Sequence, residues 1–154
     1  APVVLDADAL NAIAGDNTLQ TALVARAARQ AVTVLTPHPL EAARLLGQTA
    51  QQVQENRLGA AATLAQRFAC TVVLKGSGTL IASPGQTPVI NPTGNARLAT
   101  AGTGDVLAGL VGAQLAAGHT GFDATCRAVY LHGELADNLA PQTTLTAAVL
   151  ARSL

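Results

Sequence analysis

The sequence predicts an α/β fold, a partial parallel sheet flanked by helices and followed by a C-terminal cluster of helices. Three observations lead there. Short β-branched runs alternate with alanine- and leucine-rich stretches through the first half of the chain, which is the rhythm of βαβ units. One of those runs, TVVLKG at 71–76, is apolar without alternation, as expected of a strand buried on both faces of a parallel sheet. From Thr103 onward apolar residues recur at helical spacing almost without interruption.

In chain order, PVVLDAD is a short strand that runs into a helical stretch, and TLQTALVARAARQ is a helix leading to the next strand, VTVLTP. EAARLLG reads as a helix and QQVQENRLGAAATLAQRFA as one long helix, after which TVVLKG returns to the sheet. The rhythm changes after Gly76: GTLIASPG and TPVINP are short strands split by a Pro-Gly turn, a meander at the sheet edge. Three helices then close the chain: DVLAGLVGAQLAAG, FDATCRAVYLHGELADNLA and LTAAVLARSL.

Composition narrows the function classes. The 154 residues are 49% hydrophobic and 12% charged, with a formal net charge of zero; a domain of this size buries roughly two thirds of its unfolded surface. There is no long basic patch or aromatic platform, so no nucleic-acid partner is expected. No apolar run reaches the roughly 18 to 20 residues that span a bilayer, and no signal-peptide pattern is visible, so the expectation is a cytoplasmic protein without a membrane partner. Cys70 and Cys126 lack metal-ligand spacing and read as buried free thiols. The chain has no methionine and opens directly on a strand, so residues 1–154 are expected to be one unit, the C-terminal part of a larger domain.

The most informative stretch is Asn91 to Gly109, NPTGNARLATAGTGDVLAG, where a glycine-rich turn opens onto an apolar helix with Asp105 at the junction. Gly102 and Gly104 allow positive φ values, so the amides of Ala101, Gly102, Thr103 and Gly104 are expected to converge with the positive end of the helix on one anion. Asp105 is the odd member. A carboxylate caps a helix start well, yet beside an anion it repels the ligand unless it has a proton to accept. Base and cap are both open from the residues alone.

In open sheets of this kind ligands gather at the carboxyl ends of strands, and polar residues interrupt the strands there: Asp6 and Asp8, Thr36 to His38, and Lys75. Asp8 reads as a cap of the following helix. His38 stands between two prolines that stiffen the backbone, which favours a ligand contact. Glu41 lies in the first turn of the next helix, where it either answers the dipole or organises a water-coordinated cation. Lys75 precedes a Gly-Ser-Gly turn that lets a nucleotide approach the backbone. KGSGT is not a Walker A loop, because the glycines that should precede Lys-Ser/Thr are absent. His119 and His132 read as structural.

LDADALN at 5–11, TPHPLE at 36–41, VLKGSGTLI at 73–81 and the 91–109 run occur in an order, joined by AVYLHGELAD at 128–137, that resembles the ribokinase-like ATP- or ADP-dependent NAD(P)H-hydrate dehydratases. The resemblance spans nearly the whole chain, and its motifs are specific in combination. One departure is Leu40, where the family commonly has glycine. The resemblance implies a ribokinase-like fold and repair of hydrated NADH or NADPH, a small-molecule substrate, with ADP or ATP as phosphoryl donor and Mg²⁺. It implies Asp105 as catalytic base in contact with the substrate, His38 on the substrate side, and Lys75, Gly76, Ser77, Gly78, Thr79 and Gly104 on the nucleotide. Glu41 would act on Mg²⁺ indirectly, and a homo-oligomer is expected. Two alternatives share the site: a small-molecule kinase of the same fold, and a non-catalytic nucleotide-binding fragment.

Overall fold

The computed structural model describes residues 1–154. It contains a five-stranded sheet in the order β1 (Val3–Leu5), β2 (Thr33–Leu35), β3 (Thr71–Leu74), β4 (Leu80–Ala82) and β5 (Val89–Ile90). β1, β2 and β3 run parallel, whereas β4 and β5 are antiparallel additions that form the expected edge meander. The alternation of β3 explains its unbroken apolar sequence. Val72 and Leu74 enter the core on one face, with Leu10, Leu45, Leu64 and Phe68, while Val73 enters the other with Leu107, Val111 and Ala128. All four residues of the strand are buried.

The first face is covered by α1 (Asp8–Gly15), α2 (Asn17–Ala28), α3 (Pro39–Leu46), α4 (Ala50–Glu55) and α5 (Arg57–Phe68); the second by α6 (Thr103–Ala116) and α7 (Gly121–Asn138), with α8 (Ala147–Arg152) packed on α6 and α7. Every expected helix is present, with one correction. The stretch 51–69 is two helices, because Asn56 leaves the helical conformation (φ −139°, ψ 62°) and its side chain accepts a hydrogen bond from the Gly59 amide at 3.0 Å, capping α5. A side chain at Gly59 would collide with that cap, its Cβ standing 2.4 Å from Asn56 Nδ2. No helix is long and apolar enough to cross a membrane.

Two smaller expectations also change. Asp8 is the first residue of α1 and caps nothing; Ala7 holds the N-cap position at φ 48°, without a side-chain cap. Cys70 is buried and its thiol is pushed up to about 12 by desolvation, whereas Cys126 is only half-buried, its thiol raised by burial and by Asp123. Both are free thiols.

Candidate functional site

The parallel strands bring their carboxyl ends to one edge, and the backbone ties those ends together. The Thr36 amide donates to Leu5 O at 3.1 Å, and the Lys75 amide to Pro37 O at 2.8 Å. Asp6, His38 and Lys75 therefore leave neighbouring strands on the same side of the sheet. Lys75 Nζ donates to Asp6 Oδ1 at 2.8 Å, a pair whose side chains are mostly buried. Asp6 thus has a partner 69 residues away that no local pattern discloses. Two of the three ammonium donors remain for a ligand.

α6 begins over this pair. A Cβ built on Gly104 would lie 3.5 Å from Lys75 Nζ and 3.8 Å from Asp6 Oδ2, so the strand-end charges sit against the helix start. Gly102 takes the left-handed N-cap position at φ 82°. Gly104 has no positive φ and is the second residue of the helix; its value there is that it adds no side chain between α6 and Lys75, which corrects the expectation of two left-handed glycines. Asp105 lies in the first turn, exposed, and its carboxylate takes part in no hydrogen bond or ion pair. The cap reading of Asp105 has no bond to rest on. Ala101 is exposed and Thr103 is buried, its one hydroxyl proton shared between Leu98 O at 2.7 Å and Thr100 O at 2.8 Å; the Thr103 amide donates to Thr100 O at 3.3 Å, which removes it from the four amides expected to face an anion.

α7 supports this loop from below. The His132 ring donates from Nε2 to Thr103 O at 2.9 Å, and burial holds its imidazole below the ordinary value; Thr103 O is an acceptor only, which fixes the tautomer. Asp137 accepts from the Gly94 amide at 2.7 Å and from Asn95 Nδ2 at 2.8 Å. Gly133 lets the Thr93–Gly94 backbone lie on the helix, since a Cβ there would stand 2.6 Å from the Thr93 carbonyl carbon. His132 is structural as expected, and what it structures is the 101–104 turn that opens α6.

His38 is the N-cap of α3. Its Nδ1 accepts from the amides of Leu40 at 3.0 Å and Glu41 at 3.2 Å, and Glu41 Oε2 accepts from the His38 amide at 2.9 Å, a capping box with histidine in the usual hydroxyl's place. The accepting Nδ1 leaves the proton on Nε2, which lies 3.5 Å from Glu41 Oε1 and is partly open to solvent. Leu40, the departure from the glycine of similar sequences, is exposed and leaves the box intact. His38 and Asp105 form no direct bond with each other.

Glu41 is buried and committed to this box. No three His, Cys, Asp or Glu side chains cluster as a metal cage, so the residues present do not fit a protein-held Mg²⁺. An ion of this kind can take its ligands from substrate phosphates and water, and would then need none from Glu41.

The Gly-Ser-Gly turn after β3 holds φ 139° at Gly76 and φ 62° at Gly78, both in the left-handed half of the map. Thr79 Oγ1 donates to Gly76 O at 2.9 Å, and Ser77 is exposed. Sequence reasoning missed Arg57, the first residue of α5, whose guanidinium donates to the carbonyls of Leu74 at 3.2 Å, Lys75 at 3.3 Å and Ser77. Nothing in a helical run marks such a residue. Surface hollows on α2, lined by Asn17, Thr18 and Thr21 and by Gln20, Val24 and Arg67, share no residue with the strand-end cluster.

Comparison with known proteins follows the same lines. The family model described as NAD(P)H-hydrate dehydratase matches residues 1–154. The ADP-dependent (S)-NAD(P)H-hydrate dehydratase of Neisseria meningitidis is 49% identical over 150 residues, which are 97% of this chain and 49% of that protein. A bifunctional NAD(P)H-hydrate repair enzyme of Moorella thermoacetica is 45% identical over 92% of this chain and 26% of its own length. Among solved structures, the ADP/ATP-dependent NAD(P)H-hydrate dehydratase of Bacillus subtilis, co-crystallised with ATP and Mg²⁺, superposes with a TM-score of 0.81 at 34% identity, covering 99% of this chain and 52% of that one. A hydroxyethylthiazole kinase of Pyrococcus horikoshii, 22% identical with a TM-score of 0.71, shares the ribokinase-like fold. The chain spans about half the length of the Neisseria relative.

Proposed function

This chain belongs to the NAD(P)H-hydrate dehydratase family, and from that premise we propose that the complete protein regenerates NADH and NADPH from their hydrates at the expense of an adenine nucleotide. The observation that carries the assignment of chemistry is the unengaged carboxylate of Asp105 at the N-terminus of α6. An exposed carboxylate in the first turn of a helix, with no cap bond or ion pair of its own, is free to receive a proton.

Hydroxide is a poor leaving group, so the hydroxyl at C6 of the hydrated ring must be activated. Asp105 takes its proton as the oxygen attacks the terminal phosphoryl group, and the shortened nucleotide departs. The C6–O bond then breaks with release of phosphate, and loss of the C5 proton restores the ring double bond. The amides of Ala101, Gly102 and Gly104 and the α6 dipole offset charge on the transferring group, whereas the Thr103 amide is spent on Thr100 O. Lys75, oriented by Asp6, meets the phosphates, and Gly76, Ser77, Gly78 and Thr79 line the nucleotide. His38, with its proton on Nε2, donates to the substrate. Mg²⁺ supplies charge neutralisation on the phosphates when bound, and Glu41 acts on it only by fixing the α3 start.

Because the substrate is a modified cofactor of central metabolism, the proposal carries a cytoplasmic location; self-association of the complete protein belongs to it too and is read by sedimentation. The experiment is to incubate the complete protein with hydrated NADH, nucleotide and Mg²⁺ and follow the reduced-nicotinamide absorbance. It should rise only with nucleotide present. Stoichiometric accumulation of a stable phosphorylated product instead overturns the dehydratase reading.

A further inference from the structure

The turn at 75–79 owes its shape to a side chain from outside the strand-end cluster. Arg57 Nη2 donates to Leu74 O and Lys75 O, and Nη1 to Ser77 O. Three carbonyls of one tight turn are thereby drawn toward a single guanidinium. In a trans peptide the N–H points opposite the C=O, so each gripped carbonyl sends the next residue's amide the other way. For Leu74 that amide belongs to Lys75, and it is used internally on Pro37 O. For Lys75 and Ser77 the amides belong to Gly76 and Gly78, and neither has an acceptor within the protein. Arg57 is what turns two free donors outward beside Lys75.

The fit is tight and costly. A Cβ on Gly76 would stand 3.0 Å from Arg57 Nη2, so a side chain there would displace the guanidinium. Arg57 Nε is buried without a partner, a cost natural structures seldom carry without a compensating role. The break between α4 and α5 is part of the same device. Asn56 ends one helix and caps the next, which makes Arg57 the first residue of α5 and aims its side chain at the turn.

We infer that Arg57 is the positioning residue of the nucleotide turn, holding the Leu74, Lys75 and Ser77 carbonyls so that the Gly76 and Gly78 amides are preset as donors to an adenine nucleotide. Arg57 acts through the turn, since every hydrogen bond of its guanidinium goes to the Leu74, Lys75 and Ser77 carbonyls. The inference rests on the functional reading above and deepens it by naming what preorganises that site. Preorganisation acts on affinity by removing ordering cost from binding, so its loss is read as weaker nucleotide binding with little change for the hydrated substrate.

The test uses the complete protein and two variants, Arg57→Gln and Arg57→Lys, with ADP and ATP titrated calorimetrically and amide hydrogen exchange followed at 76–78. Arg57→Gln should raise the nucleotide Kd about tenfold or more, speed exchange at Gly76 and Gly78 without ligand, and leave the KM for the hydrated substrate within about twofold. Arg57→Lys keeps the charge but lacks the planar fork that reaches three carbonyls, so it should resemble the glutamine variant; recovery by lysine would mean that charge alone matters and would overturn the inference. Unchanged nucleotide affinity in a folded variant overturns it too, as does a loss of affinity for both substrates in proportion to lost stability. If the unsubstituted protein binds no adenine nucleotide, the functional reading itself fails, and exchange at 76–78 still reports whether Arg57 orders the turn.

Discussion

Asp105→Asn separates chemistry from stability more cleanly than any other substitution in this site. Asp105 is exposed and makes no hydrogen bond or ion pair, so exchanging one carboxylate oxygen for an amide nitrogen breaks no bond. The stabilising contribution lost is the charge's interaction with the α6 dipole, about 0.3–1 kcal/mol at an exposed helix start, or a few degrees of Tm at most in a domain of this size. If Asp105 is the base, turnover falls by the share a positioned proton acceptor supplies, about 10² to 10⁴, equivalent to roughly 3 to 5 kcal/mol of barrier. The two effects differ severalfold in free energy and are read by different instruments. In the complete protein, absorbance-monitored dehydration should drop at least a hundredfold while the melting curve hardly moves and nucleotide Kd holds or tightens, since a like charge near the phosphates has gone. Near-normal turnover, or a loss that tracks the melting temperature, would refute the assignment of Asp105 as base.

Gly133→Ala should destabilise by about 1–3 kcal/mol in denaturant titration, because its methyl would stand 2.6 Å from the Thr93 carbonyl carbon and 2.8 Å from the Gly94 nitrogen. Lys75→Met should cost about 1–3 kcal/mol by leaving the Asp6 carboxylate mostly buried and unpaired, and Lys75→Met combined with Asp6→Asn should recover most of that stability while nucleotide affinity stays low. Burial holds His132 below the ordinary 6.5, so the unfolded chain takes up a proton that the folded one refuses. Stability should therefore decline as pH falls below about 6.5 and level off once the folded value is passed; His132→Gln, which retains a donor for Thr103 O, should flatten that limb in pH-dependent denaturation relative to the unsubstituted protein.

Features that arise within one or two turns of chain were legible in the sequence. Unbroken apolarity marked β3 as a strand buried on both faces, and the Pro-Gly turn marked the β4–β5 edge. Two prolines around His38 announced a stiff strand end. Asn56 left a trace as well, a good N-cap type inside a helical run, but apolar periodicity passes through 51–69 unbroken and the periodicity was the stronger signal. What escaped is mostly long-range. Asp6 and Lys75 meet across 69 residues, Arg57 reaches a turn 20 residues on, and Asp137 meets Gly94 from 43 residues away. Each depends on which strand ends adjoin, and only the sheet order supplies that. Gly102 and Gly104 share the freedom to take positive φ and only Gly102 uses it; a spacing of two cannot tell a turn glycine from one inside the helix just after it.

The arrangement around α7 also decides which substitutions can be interpreted. That helix grips the 91–104 segment at both ends, through Gly133 and Asp137 near Gly94 and through His132 at Thr103, while Ala124, Ala128 and Val129 on the same helix bury against β2 and β3 side chains in the second core. A change at any of these positions moves the 91–104 segment and the packing together, because interiors this dense pass displacement on instead of absorbing it. Activity and stability will fall in concert there, and such losses say nothing about who accepts the proton. The Asp105 carboxylate stands just past the gripped end at Thr103 but is itself bonded to nothing, so a loss of turnover on its replacement with the melting curve intact points to the reaction and not to the packing.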